Sequence, residues 1–214
     1  MPIRSLPAKR TTRFPAIFIA ACGILACFAG SASASGVTTS FTTGFEGWTF
    51  VNPSGSSWQS SGGNPGGYVR FDDLGPANGG QFLAPASYLG NWTSYDGVGS
   101  LSADAQLFVL PPQAFAFPSF SISGPGGSAF WTASVPSGPF GWTTFTAPIT
   151  ASQWSIRSGS WAAILANVTQ LLIFMPASSV GGEITGIDNV TLVPAPGVGA
   201  LLGLGGLLAA RRRR

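Results

Sequence analysis

Aromatic side chains in polar surroundings are the residues of this sequence whose types and spacing first suggest chemistry. Trp58 lies within GSSWQSSGG, and Trp92, Tyr95 and Asp96 lie within GNWTSYDG. Flat aromatic rings stack on the C–H faces of sugar rings, whose hydroxyl groups need polar partners nearby. These four residues are therefore the candidate ligand-binding set, on loops at the rim of a domain. The alternative is that these rings cap the core.

Carboxylates are the second group of candidates. Four of them, Asp72, Asp73, Asp96 and Glu183, are the acids that a glycan-active hydrolase or lyase would draw on. Glycoside hydrolysis needs two carboxyl groups about 5 to 9.5 Å apart across a cleft, and a chain so poor in acids offers few pairs. Asp72 and Asp73 point to opposite sides of an extended chain, so capping of a turn is the alternative role. No catalytic residue is predicted, and the chain is not expected to be an enzyme.

Composition excludes several other kinds of site. The chain has no histidine, and both cysteines, Cys22 and Cys27, belong to the leading apolar run. Disulfides, thiolate zinc sites and histidine-dependent triads are therefore excluded from the middle of the chain. Eight of the ten basic residues lie near the two ends, and residues 35–193 hold only two basic against seven acidic residues. A nucleic-acid surface needs clustered Lys and Arg, so no nucleic-acid partner is expected.

The middle of the chain alternates short apolar segments with Gly, Pro, Ser and Asn clusters. The segment SLSADAQLFVL alternates between two sets of residues, which predicts a strand with one buried face. The inward set is Leu101, Ala103, Ala105, Leu107 and Val109, and the outward set is Ser102, Asp104, Gln106 and Phe108. Trp131 and Trp142 lie inside such segments and are expected in the core. Residues 161–168 suit one or two helical turns. The other predicted strands cover residues 36–41, 48–51, 68–71, 81–84, 117–123, 128–134, 142–147, 170–175 and 187–193, which together indicate an all-β sandwich.

Both ends of the chain read as targeting segments. A basic leader, an apolar run and the exit Ala32-Ser33-Ala34 predict a secretory signal helix over residues 1–34, removed by signal peptidase. At the other end, residues 197–210 are apolar, enough for a short transmembrane helix of about 21 Å at ~1.5 Å per residue. Four arginines, Arg211, Arg212, Arg213 and Arg214, follow it and favour the cytoplasmic face.

The order of parts in this tail resembles the PEP-CTERM sorting signal of Gram-negative bacteria. The motif is Val193, Pro194, Ala195 and Pro196, with alanine where the family usually has glutamate, followed by the short helix and the arginine cluster. The resemblance implies an exosortase as processing partner, a transient inner-membrane intermediate, and delivery to the cell surface or extracellular matrix. A plain C-terminal anchor is the alternative. Residues 194–214 are therefore assigned to this signal.

The middle of the chain resembles the laminin B domain, also called laminin domain IV. The segments FTTGFEGWTF, GNPGGYVRFDD, FLAPASYLGNW, GWTTFTAPIT, ILANVTQLLI and TGIDNVTLV occur in that family's order. The resemblance implies a jelly-roll sandwich of the galactose-binding-like, carbohydrate-binding type over residues 35–193. Related modules hold a structural calcium between the first strand and an Asp near the last strand, which makes Asp188 and Glu46 candidate calcium ligands. No other cofactor is expected.

Together these patterns predict an exported, non-enzymatic surface or matrix protein whose sandwich binds glycan or another envelope polymer. The glycan-active enzyme is one alternative, and a purely structural protein that assembles with itself is the other.

Overall fold

The computed structural model describes residues 36–51, 55–75, 79–109, 117–134, 138–175 and 181–194. The predicted signal helix, the apolar stretch of residues 197–210 and the terminal arginines lie outside these ranges. Of the sorting motif, only Val193 and Pro194 are described. Val193 ends the last strand and is exposed.

Strands dominate the described chain. Their bounds are β1 Val37–Thr39, β2 Thr49–Phe50, β3 Ser56–Gly63, β4 Gly66–Asp72, β5 Gln81–Leu83, β6 Ser100–Val109, β7 Ser119–Gly124, β8 Gly127–Thr132, β9 Phe140–Pro148, β10 Ser155–Gly159, β11 Gln170–Phe174 and β12 Ile184–Val193. Three 3-10 turns (Ala86–Tyr88, Thr93–Tyr95 and Ala151–Gln153) and one helix, α1 (Trp161–Ala166), accompany them.

The strands form two six-stranded sheets in which every pair of neighbouring strands is antiparallel. Sheet A has the order β3-β4-β12-β6-β9, and β1 pairs with the far end of β12. Sheet B has the order β10-β8-β7-β11-β5-β2. The chain passes repeatedly from one sheet to the other, as in a jelly roll. The predicted all-β sandwich is confirmed.

The core lies between the two sheets and is rich in aromatic rings. Trp48 stacks on Phe82 with ring centroids 4.9 Å apart, and Tyr88 meets Trp48 edge-on at 5.0 Å. The Tyr88 hydroxyl donates to the Val190 carbonyl oxygen at 2.7 Å and contacts Thr39 Oγ1. Burial raises the pKa of Tyr88 to about 12. This hydroxyl therefore stays protonated, and its hydrogen bond links the core residue Tyr88 to the backbone of β12.

The predicted helix is present and short. Ser160 caps α1 by accepting a hydrogen bond from the Ala163 amide, and the helix buries Trp161, Ile164 and Leu165. None of the helices in the described ranges has the length and apolar character that a membrane span requires.

Two strands were not predicted, β3 and β10. Their sequences, SSWQSSGG and SIRSG, are polar and rich in Ser and Gly, so they carry no alternating apolar signal. Each lies at the edge of its sheet and pairs on one side only, β3 with β4 and β10 with β8. These two segments are therefore strands because they pair with β4 and β8, and their own side chains give no strand pattern.

Candidate functional site

Alternation along β4 gives sheet A two chemically different faces. Val69 and Phe71 belong to the core between the sheets. Tyr68, Arg70 and Asp72 therefore project to the opposite side, which we call the outer face of sheet A. The same alternation on β6 buries Ala103 and Ala105 in the core and directs their neighbours outward.

Three aromatic side chains meet on this outer face, and we call them the aromatic cluster: Tyr68 of β4, Phe108 of β6 and Trp142 of β9. The Tyr68 ring lies 5.3 Å from that of Trp142 and 5.9 Å from that of Phe108, and Phe108 meets Trp142 edge-on at 6.4 Å. Phe108 and Trp142 are half-buried, so part of each ring is open to solvent. None of the three belongs to the core cluster.

Gly186 of β12 is the floor beneath the aromatic cluster. It pairs with Arg70 on one side and Gln106 on the other, at the centre of the sheet. A Cβ atom at this position would lie 2.8 Å from Trp142 Cη2, 3.0 Å from Tyr68 Cδ2 and 3.1 Å from Phe108 Cε2. The missing side chain is what lets the three rings converge over the sheet.

A charged pair borders the aromatic cluster. The Arg70 guanidinium donates to both Asp72 carboxylate oxygens, with Nε to Oδ1 at 3.0 Å, Nε to Oδ2 at 3.1 Å and Nη2 to Oδ1 at 2.8 Å. It also lies 5.9 Å from the centroid of the Phe108 ring. The hydrogen bonds that Arg70 donates to Asp72 raise the pKa of Arg70, so the guanidinium stays charged.

The turn between β3 and β4 folds across the outer face. The register shifts between Gln59 and Gly63, which leaves extra residues on the β3 side of the hairpin. We call residues 62–66 the hairpin tip. The Gly62 carbonyl oxygen accepts a hydrogen bond from Trp142 Nε1 at 2.8 Å, although β3 and β9 are the two outermost strands of sheet A. The hairpin tip therefore orients the Trp142 ring.

Two buried carboxylates hold the hairpin tip. Asp104 and Asp188 are direct partners on β6 and β12. Asp188 accepts from the Asn64 amide at 2.6 Å and from the Asn189 amide at 2.7 Å. Asp104 accepts from the side chains of Asn64, Asn189 and Thr144. The two carboxylates thus bind the tip entirely through uncharged donors.

Burial raises the pKa of Asp188. Desolvation is the largest cause, the two backbone amides oppose it, and the negative charges of Asp104 and Glu46 add to the rise. The cluster therefore stabilises a protonated Asp188 at a higher pH than an exposed carboxyl would allow.

The structure corrects the predicted ligand-binding loops. Trp92 is 1% exposed and donates through Nε1 to the Tyr88 carbonyl oxygen, and Tyr95 is 9% exposed. Both rings belong to the core, so neither presents a face to a ligand. Trp58 lies in β3 rather than a loop and donates to the Phe41 carbonyl oxygen at 2.6 Å. Asp96 is exposed and accepts a hydrogen bond from Trp161 Nε1 at 2.8 Å.

The predicted calcium ligands are placed differently from each other. Asp188 is fully buried, and its two oxygens each accept a backbone amide. Glu46 is exposed in the loop after β1 and accepts from the Thr42 hydroxyl and the Thr43 amide through Oε1. Each Asp188 oxygen thus has one N–H partner, and Glu46 shares neither donor, so a calcium site at these two residues stays a prediction. In the described ranges, no three Asp, Glu, His or Cys side chains form a metal-binding group.

The candidate catalytic acids are dispersed over different environments. Asp72 is paired with Arg70, while Asp73 and Glu183 are buried at 3% and 0% exposure. Asp96 lies beyond the second 3-10 turn, outside the strands of sheet A.

The sequence pattern contained a signal for two members of the aromatic cluster. Phe108 stands in the outward, polar half of the β6 alternation, where a large aromatic is out of place. Tyr68 likewise alternates with the core residues Val69 and Phe71. The expectation that Trp142 lies in the core was wrong, because β9 directs it to the outer face. Trp131 does pack against the core, partly buried, and stacks on Phe120 at 5.1 Å.

No described protein family matches this sequence, and no curated protein does. Solved structures of similar fold exist. The L4b domain of human laminin alpha-2 has a TM-score of 0.53 at 13% identity, covering 75% of this chain and 98% of that domain. The family 11 carbohydrate-binding module from Clostridium thermocellum, in complex with a β-1,3-1,4-mixed-linked tetrasaccharide, has a TM-score of 0.50 at 22% identity, covering 76% and 98%. The predicted laminin-like sandwich is confirmed as a fold.

Proposed function

We propose that this protein is a non-enzymatic glycan-binding protein and that it binds polysaccharide on the outer face of sheet A. The aromatic cluster is the observation on which the proposal rests. It offers the partly open rings of Phe108 and Trp142 beside the buried Tyr68 ring, over a glycine floor. Arg70, Asp72 and Gln106 provide hydrogen-bonding groups around it. This combination of a flat apolar surface and convergent polar groups is what stacking on sugar rings requires.

The similarity of fold supports the choice of ligand class. The Clostridium thermocellum neighbour is named as a carbohydrate-binding module in complex with an oligosaccharide. At 22% identity it bears on the architecture only, and the ligand class for this chain rests on the aromatic cluster. We therefore propose a polysaccharide without specifying its sugars.

Binding is favoured over hydrolysis because the carboxylates are already engaged. The two Asp72 oxygens face a guanidinium, and the Asp73 and Glu183 side chains are too buried to reach a polymer chain. A general acid and a second carboxylate across a cleft would need exposed, facing groups. Polymer cleavage that is lost in an Asp72→Asn variant would favour the enzyme instead.

We place this binding protein outside the cell. The leader over residues 1–34 and the tail over residues 194–214 carry the features of an exported, exosortase-sorted chain. The short apolar segment would hold the chain in the inner membrane until the tail is processed near Pro194 to Pro196. The sandwich would then contact the cell surface or the extracellular matrix.

Removal of the Trp142 ring tests the binding site. We expect Trp142→Ala to weaken binding to polysaccharide by roughly tenfold or more, about 1.4 kcal/mol, because one of the two partly open rings of the aromatic cluster is lost. Affinity gel electrophoresis of the full-length chain would measure this, with mixed-linked β-1,3-1,4-glucan, xylan and the extracellular polymer of the producing cells as probes.

Phe130→Ala is the matched control. Phe130 lies on sheet B, also as a half-buried ring in contact with another ring, that of Phe174 at 5.5 Å. Its loss should leave retardation unchanged. Equal weakening in both variants, or no retardation of the parent chain by any probe, would contradict the proposal. Assembly of the chain with itself in the absence of glycan would favour the purely structural alternative.

A further inference from the structure

The charges on the outer face of sheet A are unbalanced. Its strands carry one cation, Arg70, and three carboxylates, Asp72, Asp104 and Asp188. Asp104 and Asp188 receive hydrogen bonds from asparagine and threonine groups and from backbone amides, all uncharged. Their negative charge is therefore hydrogen-bonded but not cancelled. The face as a whole is negative whenever its carboxylates are ionised.

The one cation of this face is held by a carboxylate. Three donor contacts of 2.8 to 3.1 Å join the Arg70 guanidinium to both oxygens of Asp72. Both side chains are about 30% exposed, so the pair lies at the surface beside the aromatic cluster, where a ligand would meet it. Arg70 also lies over the Phe108 ring, which fixes its position against the rings. Asp72 therefore occupies the Nε and Nη2 donors of this guanidinium and neutralises its charge, so an incoming carboxylate meets a cation that is already paired.

We propose that this face selects uncharged polysaccharides over acidic ones, and that Asp72 is the residue that decides the selection by neutralising Arg70. This inference rests on the proposed function, because it names the ligand class of the same site.

Electrostatic repulsion is the physical reason for the expected selection against acidic polysaccharides. A uronate or sulfate group at the aromatic cluster would meet the negative field of Asp104 and Asp188, and the charge of Arg70 that could attract it is already neutralised by Asp72. An uncharged sugar meets no such repulsion, and the paired Arg70 and Asp72 can still donate to and accept from its hydroxyl groups. Loss of the Asp72 charge would expose a guanidinium that recognises carboxylates bidentately.

The test compares an uncharged polymer with an acidic one. The purified full-length chain and its variants are run through affinity gels that contain mixed-linked β-1,3-1,4-glucan or polygalacturonate, at low and at high salt. The parent chain is expected to bind the glucan at least tenfold more tightly than polygalacturonate. Asp72→Asn should bind polygalacturonate at least tenfold more tightly than the parent does, and added salt should weaken that binding.

Three further variants make the result specific. Asp96→Asn changes the net charge equally but lies outside the strands of sheet A, so it should gain no affinity for polygalacturonate. Asp72→Glu keeps a carboxylate beside Arg70 and should therefore gain no affinity for polygalacturonate. The double variant Arg70→Gln/Asp72→Asn should lose the acquired binding, because the exposed guanidinium is gone.

Each outcome bears on the proposal. Equal binding of the parent chain to both polymers, or no gain in Asp72→Asn while glucan binding persists, overturns the charge selection. If either polymer is bound and Trp142→Ala abolishes that binding, the proposed binding site stands even when the selection fails. Binding to neither polymer, in the parent chain or in Asp72→Asn, overturns both.

Discussion

Gly186 shows how one missing side chain creates the proposed site. It lies at the centre of sheet A, and a Cβ atom added to it would be only 2.8 to 3.1 Å from the nearest atoms of the three rings. These distances are shorter than ordinary van der Waals contact, so a methyl group would force the rings apart. The residue's role is therefore to leave space.

We expect Gly186→Ala to lower the free energy of unfolding by about 1–3 kcal/mol, the usual cost of overpacking, and to weaken polysaccharide binding as well. Urea unfolding and affinity electrophoresis would measure the two effects. Gly141→Ala is the matched control, since a Cβ atom there has nothing within 4 Å, and its change should stay within about 0.5 kcal/mol. Equal effects of the two substitutions would contradict the role of Gly186.

Asp188 gives the stability of the fold a specific pH dependence. Its pKa is raised in the folded state, mainly by desolvation, so the folded chain binds a proton more tightly than the unfolded chain. This contribution therefore stabilises the fold as the pH falls from neutral through the raised pKa, and it is lost as the pH rises.

We predict that the urea midpoint of the parent chain rises relative to that of Asp188→Asn as the pH falls from 7 to 4. Urea midpoints measured between pH 7 and pH 4 would show it, because the variant has no carboxyl to protonate at this position. Parallel profiles for the two proteins would contradict the assignment of the pH dependence to Asp188.

At the scale of the elements, the β3–β4 hairpin connects the two edges of sheet A. β3 and β9 are the outermost strands of this sheet, yet the hairpin tip contacts β12, β6 and β9 through hydrogen bonds to Asp188, Asp104 and Trp142. The hairpin tip thus covers a strip of the outer face and forms a wall of the proposed site. Polar residues buried beneath it, rather than apolar packing, hold it in place.

Removal of the Asp104 carboxylate should release this wall. In Asp104→Ala, the side-chain donors of Asn64, Asn189 and Thr144 lose their acceptor, and we expect a loss of about 1–3 kcal/mol in the free energy of unfolding. Hydrogen exchange should accelerate at the Asn64 amide. Thr144→Ser, which keeps a hydroxyl donor, should cost much less. A loss below about 1 kcal/mol in Asp104→Ala would contradict this account of the hairpin tip.

For the whole molecule, the described residues form a sandwich with the proposed binding site on one outer face. We interpret the two ends of the chain as targeting segments. We predict that the secreted protein lacks both ends. The leader should be cleaved after Ala34, and the arginine cluster should be removed near Pro194 to Pro196.

Intact-mass analysis of culture material from an exosortase-containing host would measure both cleavages. Replacement of Arg211 to Arg214 by serine is the control, and it should leave the tail unprocessed. A mature species that retains the arginine cluster would contradict the sorting proposal while leaving the binding site untouched.

The sequence by itself determined the all-β class and most of the strands. Alternation with a period of two follows from the geometry of a strand with one buried face, so β4, β6 and β12 could be recognised from their own residues. It also determined that disulfides and histidine chemistry are absent from the middle of the chain, because composition needs no structure.

Only the tertiary structure decided which aromatic rings face solvent. Trp92 and Tyr95 stand in polar sequence but turn into the core, whereas Trp142 stands in a strand and turns outward. The pairing of β9 with β6 and the register shift between them set the direction of Trp142, and both depend on a partner distant in sequence. The aromatic cluster and the glycine beneath it bring together residues 68, 108, 142 and 186 from four strands. Their meeting depends on the order of the strands in sheet A, and the local sequence pattern carries no information about that order.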